Sequence, residues 1–189
     1  MAPVTRSILI FTVAVFLLQI VAPSALLPFA LWPLGPLFRP WQVVTYAFLH
    51  STDYFAHILF NMFAVYMFGS ELERYWGARR FLFLYLSSIV FAAVAQLLVA
   101  RLSGGLYPTV GASGGVFGLL LAYAVLFPRR KLMLIFPPIP MPAWLFVTLY
   151  GVLELTMGLT GAQPGVAHFA HLGGMLGGFL ALLSFRARA

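Results

Sequence analysis

Long apolar stretches, separated by short polar or charged segments, make up most of the chain. A helix needs about 20 apolar residues to cross a bilayer core of about 30 Å, and six stretches have or approach that length. They comprise residues 7–29, 54–75, 81–100, 112–127, 142–159 and 166–185. The pattern therefore predicts an all-α, polytopic membrane protein with six transmembrane helices in a single domain over residues 1–189.

The composition agrees with a protein that faces lipid. Hydrophobic residues make up 62% of the chain and charged residues only 8%, whereas soluble domains carry about 25% charged residues. There is no cysteine, which excludes disulfides, thiolate metal sites and a cysteine nucleophile. Because this number of charges is too small to cover the surface of a soluble domain of this length, we expect an integral membrane protein.

The basic residues indicate how the helices are oriented. A net charge of +7 would suit nucleic acid in a soluble protein, but short cytoplasmic loops also collect Lys and Arg. If the N-terminus lies inside, only Arg39 and Arg101 lie outside. We therefore expect both termini in the cytoplasm, anionic lipid near the basic loops and no nucleic-acid partner. The inner set comprises Arg6, Arg74, Arg79, Arg80, Arg129, Arg130, Lys131, Arg186 and Arg188.

Residues 30–48 are too long and too apolar for an ordinary external loop. Aromatic residues are interleaved here with Pro33, Pro36 and Pro40, and they comprise Trp32, Phe38, Trp41 and Tyr46. Such aromatic residues favour the level of the lipid headgroups. This composition predicts a structured insert in the outer membrane interface. A plain amphipathic loop remains the alternative.

Four polar side chains inside the predicted spans share one depth. Counted back from the cytoplasmic arginines at 1.5 Å per residue, His57, Asn61, Ser113 and His171 lie about 20 to 25 Å above the inner boundary. His57 and Asn61 are four residues apart and therefore project from one helix face. The sequence thus predicts a polar layer in the outer half of the membrane.

The composition of this layer suits acyl transfer. Ser113 begins a predicted helix, whose first N–H groups lack partners and carry the positive end of the helix dipole. A serine hydroxyl, a histidine that takes its proton and nearby oxyanion donors are the parts that acyl transfer needs. Depth counting places no Asp or Glu in the layer, so we expect a Ser–His pair without a carboxylate. Glu154 receives no role, and a proton relay through it remains open.

Glycines spaced by four residues predict close helix packing beside Ser113 and His171. Gly114 and Gly118 lie in the fourth span, and Gly174 and Gly178 in the sixth. Such small-residue stripes let helix backbones approach closely. Gly174 and Gly178 follow His171 by three and seven residues, so they lie on its face of the helix. The pattern therefore predicts that the two helices bring the imidazole to the hydroxyl.

Other interpretations of the polar residues remain. His57 and Asn61 are also typical of interhelical hydrogen bonds that hold a bundle together. His168 and His171 could join His57 and His50 in a metal site, but the H-E-x-x-H signature is absent, so we expect neither a metal nor a cofactor. A non-enzymatic helix-binding or transport bundle is the alternative function.

Several motifs in order resemble the rhomboid intramembrane serine proteases. The resemblance extends from Trp41 through the sixth span. The motifs are His57-Ile58-Leu59-Phe60-Asn61, Glu73 followed by Gly77, Gly111-Ala112-Ser113-Gly114, and Ala170-His171-x-x-Gly174-x-x-x-Gly178.

This resemblance implies a function and a set of roles. Ser113 is expected to be the nucleophile and His171 the general base, with the Ser113 amide, His57 and Asn61 as oxyanion donors. Phe117 and Gly111 are expected at the substrate-binding site. The structural residues are expected to be Gly114, Gly118, Gly174, Gly178 and Glu73. Substrates would be membrane helices, cut near the outer face after lateral access beside the fifth span, in a bacterial inner membrane.

The sequence departs from the family pattern at three positions. Gln42 follows Trp41 where the family often has arginine, and Phe117 stands where a tyrosine is common. His50 precedes His57 by seven residues rather than the commoner five. We therefore transfer no role to His50.

Overall fold

The computed structural model describes residues 1–133, 137–163 and 165–186, which are mostly helical. The α-helices are α1 (Pro3–Val21), α2 (Pro23–Leu26), α3 (Gln42–Thr45), α4 (Phe55–Ala64), α5 (Ser70–Ser103), α6 (Ser113–Leu126), α7 (Ala143–Thr160) and α8 (His168–Arg186). Two 3₁₀ turns comprise Leu27–Phe29 and Tyr46–Phe48, and a π-helical turn, Val65–Gly69, joins α4 to α5. Two short antiparallel strands, β1 (Lys131–Met133) and β2 (Pro140–Pro142), precede α7, with Leu132 opposite Met141.

Within these described residues, four helical stretches are long and apolar enough to cross a membrane. They are Pro3–Val21, Phe55–Ser103, Ala143–Thr160 and His168–Phe185. The second contains 49 residues, which at 1.5 Å per residue is about 74 Å and far exceeds a bilayer core. It is broken at Gly77, whose φ of +80° and ψ of 164° are not helical. Glycine adopts this conformation without steric cost, so the break divides the stretch into two arms, 55–76 and 78–103.

The first helix differs from its predicted range of 7–29. It begins at Pro3 and ends at Val21, and Ala22 leaves the helical conformation with a φ of −138°. Pro23 follows directly, and a proline has no N–H group with which to continue the helix. The apolar residues after it form α2 and a 3₁₀ turn instead of extending the span.

Helices α5, α6 and α8 form the centre of the molecule. These three helices make more contacts with one another than any other long helices do. Their shared interior contains fully buried aromatic and aliphatic side chains, among them Phe81, Tyr85 and Leu119. α7 lies at the edge, where its buried residues are Ala143, Val147 and Glu154.

Glycines allow α8 to touch two helices at backbone distance. A methyl group added at Gly174 would overlap the carbonyl oxygen of Gly114 on α6. One added at Gly178 would lie 2.9 Å from Gly118 Cα, again on α6. Gly173 and Gly177 similarly face α5, where added methyl groups would lie 2.6 Å from backbone oxygens. We call Gly114, Gly118, Gly174 and Gly178 the glycine seam.

Glu73 joins the beginning of α1 to the end of the 55–76 arm. Its carboxylate accepts hydrogen bonds from the Val4 and Thr5 N–H groups at 2.9 and 2.7 Å, and from the Thr5 hydroxyl at 2.7 Å. These amides belong to the first turn of α1, where N–H groups have no partner within the helix and a negative charge is stabilised. The motif residue Glu73 is therefore a helix cap supplied from another helix.

The glycine seam predicts that one added methyl group has opposite effects at two positions. Gly174→Ala should lower the free energy of unfolding by about 1 to 3 kcal/mol or more, because rigid backbone atoms of α6 occupy the space. Gly151→Ala on α7 is the matched control, because its methyl would meet only the flexible Met175 side chain, at 3.4 Å. Alanine is also a better helix former than glycine, so Gly151→Ala should raise the free energy of unfolding. Thermal unfolding in detergent measures both, and equal midpoints would contradict the seam.

The cap predicts unequal effects for two neighbouring glutamates. Glu73→Ala should cost about 1 to 3 kcal/mol, because it leaves buried donors at the start of α1 without an acceptor. Glu71 pairs with Arg130, whose side chain is 51% exposed, and exposed ion pairs contribute about 0 to 1 kcal/mol. Chemical unfolding of Glu73→Ala and Glu71→Ala tests this difference. If Glu71→Ala lost more free energy of unfolding than Glu73→Ala, the cap on α1 would not be the more important of the two contacts.

Candidate active site

Ser113 stands at the first position of α6, directly after a sharp turn. Gly111 has a φ of +129°, a conformation that strains other L-residues. Its N–H donates to the Tyr46 carbonyl at 3.0 Å, and the Ala112 N–H donates to His50 Nε2 at 3.4 Å. The turn is thus held by the insert, and Ser113 lies beside first-turn N–H groups that the helix does not use.

His171 on α8 contacts the Ser113 hydroxyl directly. The distance between His171 Nε2 and Ser113 Oγ is 2.8 Å. Phe117, one turn after Ser113 on α6, stacks on the imidazole, with ring centroids 4.4 Å apart and planes inclined by 10°. Both His171 and Phe117 are buried. The structure therefore brings together the two side chains that depth counting assigned to one layer, and the stacked ring fixes the plane of the imidazole.

Glu154 on α7 also reaches this layer, so the expectation that no carboxylate lies there is wrong. Its Oε2 atom is 2.8 Å from His171 Nδ1 and 2.7 Å from His168 Nδ1. The other nitrogen of His168, Nε2, is 3.0 Å from the Ala162 carbonyl oxygen. A Ser–His–Glu chain with a second histidine therefore occupies the site.

Sequence reasoning missed Glu154 because depth was measured only on the spans that run inward. α7 runs in the opposite direction, and eleven residues separate its first residue, Ala143, from Lys131, the nearest basic residue before it. A count back from the last residue of α7 would have found the carboxylate, since Glu154 lies six residues before Thr160, or about 9 Å. An ionisable residue inside a span is itself a signal of a functional partner.

His57 borders the same space from α4. A methyl group added at Gly111 would lie 2.7 Å from His57 Nε2 and 3.8 Å from Ser113 Oγ, so these two atoms flank the bare side of the glycine. His57 Nδ1 accepts a hydrogen bond from the Ser51 N–H at 3.4 Å, which leaves Nε2 as the protonated nitrogen of a neutral ring. A hydrogen-bond donor and the Ser113 hydroxyl thus border the same side of Gly111.

Asn61 is buried one turn farther along α4. Its Nδ2 atom donates to the His57 carbonyl oxygen at 2.8 Å. An amide nitrogen carries two protons, and this bond uses one. Asn61 therefore both braces His57 and keeps one donor for another group.

Gln42 organises the insert where the family often has arginine. Its amide nitrogen donates to the Pro28 and Leu37 carbonyl oxygens at 3.0 and 3.1 Å, and its oxygen accepts from the Trp32 N–H at 3.2 Å. The side chain is fully buried, so a neutral amide satisfies three backbone groups without burying a charge.

His50 connects the insert to the turn before Ser113. Burial and, secondarily, the neighbouring His57 lower the pKa of His50 to about 3, so the ring is neutral at physiological pH. Its Nδ1 atom is buried and has no hydrogen-bond partner among the described residues. The longer His50 to His57 spacing still leaves the two rings 5.1 Å apart.

Glu154, His168 and His171 form a carboxylate–histidine cluster of the kind that can bind a metal ion. Ligands of a tetrahedral zinc ion at about 2.0 to 2.1 Å lie about 3.3 Å from one another. The oxygen–nitrogen separations here are 2.7 and 2.8 Å, which are distances of hydrogen bonds to a charged group. The cluster therefore fits a hydrogen-bonded chain better than a metal centre.

Comparison with known proteins places these features in a family. The pattern of the Rhomboid domain matches residues 37–188. Over 143 residues the chain is 29% identical to the rhomboid protease GluP of Bacillus subtilis. The aligned region is 75% of this chain and 25% of that protein. Over 141 residues it is 33% identical to the mitochondrial rhomboid protein 1 of Saccharomyces cerevisiae, and the aligned region is 74% of this chain and 40% of that protein. Over 189 aligned positions it is 28% identical to the rhomboid protease GlpG of Yersinia pestis, and the aligned region is 94% of this chain and 61% of that protein. The chain spans less than two thirds of the length of each relative.

Proposed function

The chain belongs to the rhomboid family, and on this premise we propose that it is a serine endopeptidase that cleaves membrane-spanning helices. The observation that carries the proposal is the 2.8 Å contact between Ser113 Oγ and His171 Nε2. Two of the relatives are named rhomboid proteases, which supports the same activity here. No cofactor is part of the proposed chemistry.

In the proposed reaction, Ser113 Oγ attacks the carbonyl carbon of the scissile peptide bond while its proton passes to His171 Nε2. The resulting tetrahedral intermediate carries a negative oxygen. When the carbon–nitrogen bond breaks, His171 returns the proton to the leaving amine, and an acyl group remains on Ser113. Water then attacks the acyl carbon, again giving its proton to His171, and the serine and a carboxylic acid are released.

The negative oxygen would be stabilised by donors already aimed at the site. His57 Nε2, the second amide proton of Asn61 and the Ser113 N–H at the start of α6 supply three of them. Gly111 leaves room between His57 and Ser113, because a side chain at this position would meet His57 Nε2 at 2.7 Å. We infer that the scissile carbonyl group lies against this bare glycine, with Phe117 beside it.

The proposed topology has six crossings, in which the arms 55–76 and 78–103 and the short α6 each span once. The N- and C-termini lie in the cytoplasm, because this orientation places most basic residues inside. We propose a bacterial inner membrane as the location. A helical substrate would reach Ser113 beside α7, of which only three of eighteen residues are buried.

Reaction with a fluorophosphonate tests whether Ser113 is activated. The unmodified chain should label covalently and cleave a reporter that contains one membrane helix. Ser113→Ala and His171→Ala should lose both reactions, since nucleophile and base act as one unit. Ser103→Ala, at the end of α5 and exposed, is the control. Labelling that survives in Ser113→Ala, or that is absent from the folded parent chain, would favour a non-enzymatic helix-binding or transport bundle.

Asn61→Ala separates an oxyanion donor from a structural bond. We expect kcat to fall about ten- to a thousandfold with little change in KM, because the donor acts when negative charge develops. The neighbouring Phe60→Leu is the control, because the Phe60 side chain is exposed and lies outside the core. Steady-state cleavage of the reporter gives both constants. A raised KM with unchanged kcat would show that Asn61 only braces α4.

A further inference from the structure

The hydrogen bonds around Glu154 determine how many protons the cluster contains. The Ala162 carbonyl oxygen can only accept, so His168 Nε2 must donate across their 3.0 Å contact. Ser113 donates its hydroxyl proton to His171 Nε2 in the reactive state, so the proton of a neutral His171 is on Nδ1 and points to Glu154 Oε2. The contact between His168 Nδ1 and Glu154 Oε2 is then the one to which no proton has yet been assigned.

A proton must occupy this 2.7 Å contact, because two bare lone pairs would repel each other at that distance. If the proton is on nitrogen, His168 is an imidazolium ion and Glu154 a carboxylate. If it is on oxygen, both groups are neutral. Glu154 and His168 together carry no net charge in either case, which removes the large cost of a lone carboxylate inside the membrane.

From this geometry we propose that Glu154 and His168 form a proton-sharing pair that positions His171 and stabilises its protonated form. The inference rests on the proposed protease function. Glu154 is a positioning residue, since it contacts the base and not the substrate, and His168 acts through Glu154. The pair extends the Ser–His dyad into a chain of four side chains on three helices.

The pair has a defined part in each proton transfer. When His171 Nε2 takes the Ser113 proton, the imidazole becomes positive and its Nδ1–H still faces Glu154. A carboxylate is the favoured form beside that charge, so the shared proton moves towards His168. The only proton that enters the cluster is the one that His171 takes from Ser113, and the positive charge is spread over two imidazoles. When His171 protonates the leaving amine, the shared proton returns.

Substitution of Glu154 and His168, singly and together, tests the pair. Glu154→Gln keeps the size but allows an amide N–H to face His171 Nδ1, which selects the wrong tautomer. We expect kcat to fall about 10²- to 10⁴-fold, as in triads whose carboxylate becomes an amide, with KM within about twofold of the parent value. His168→Ala should lower kcat less. The double variant should be no slower than Glu154→Gln, because the two residues act as one unit.

Two controls keep the result interpretable. Thr156→Val changes an exposed residue on the same helix, whose hydroxyl bonds only to its own helix at Val152, and it should cleave like the parent chain. Glu154→Asp retains a carboxylate and should recover part of the activity lost in Glu154→Gln. The thermal unfolding midpoint of each variant shows whether it has folded.

Nitrogen NMR of histidine-labelled protein reads the protons independently of activity. We expect Nδ1–H and a bare Nε2 on His171, and on His168 a protonated Nε2 with a Nδ1 that shares its proton. A His171 with its proton on Nε2, a kcat in Glu154→Gln equal to that of the parent, or multiplicative losses in the double variant would overturn the pair. A parent chain that neither labels nor cleaves would instead refute the protease function, while the NMR result still decides the arrangement of protons.

Discussion

The approach of α6 to α8 at backbone distance is the contact on which the rest of the site depends. No side chain separates Gly114 from Gly174, and hydrocarbon supplies no hydrophobic force to press two helices together, so close packing must do so. The same approach leaves Ser113 Oγ and His171 Nε2 at hydrogen-bond distance. A bilayer cannot satisfy either polar group, so the packing that stabilises the helix pair also determines the distance between Ser113 and His171.

Much of this arrangement could be predicted from the sequence because a membrane imposes simple rules. Apolar length indicates helices, and the distance from basic residues indicates depth, so Ser113 and His171 could be assigned to one layer. The limits of α1 were less predictable, because Pro23 ends the helix within an uninterrupted apolar run. Two contacts between distant segments could not be predicted, because neither the cap that Glu73 supplies to α1 nor the contacts of Gln42 within the insert follow a periodic pattern.

Glu154 shows the same limit within the site. Its position in the chain was visible, but its partners depend on the lateral placement of α7 against α8, which hydropathy does not determine. The spacing of His168 and His171 indicates a shared acidic partner only once the structure is known. Three residues apart on α8, they lie on one face of the helix, and one carboxylate opposite them contacts both rings.

The attachment of α7 has a consequence for the order of events. Few residues of this helix are buried, and Glu154 is the one charged group among them. A substrate helix that pushes α7 away from α8 would draw the carboxylate away from His171 Nδ1. The base would then lose its orienting acceptor while the path from the lipid is open, and regain it on closure. If the chain is the protease proposed above, a substrate helix would thus be admitted and cleaved at different times, and Ser113 would lack an oriented base while α7 is displaced.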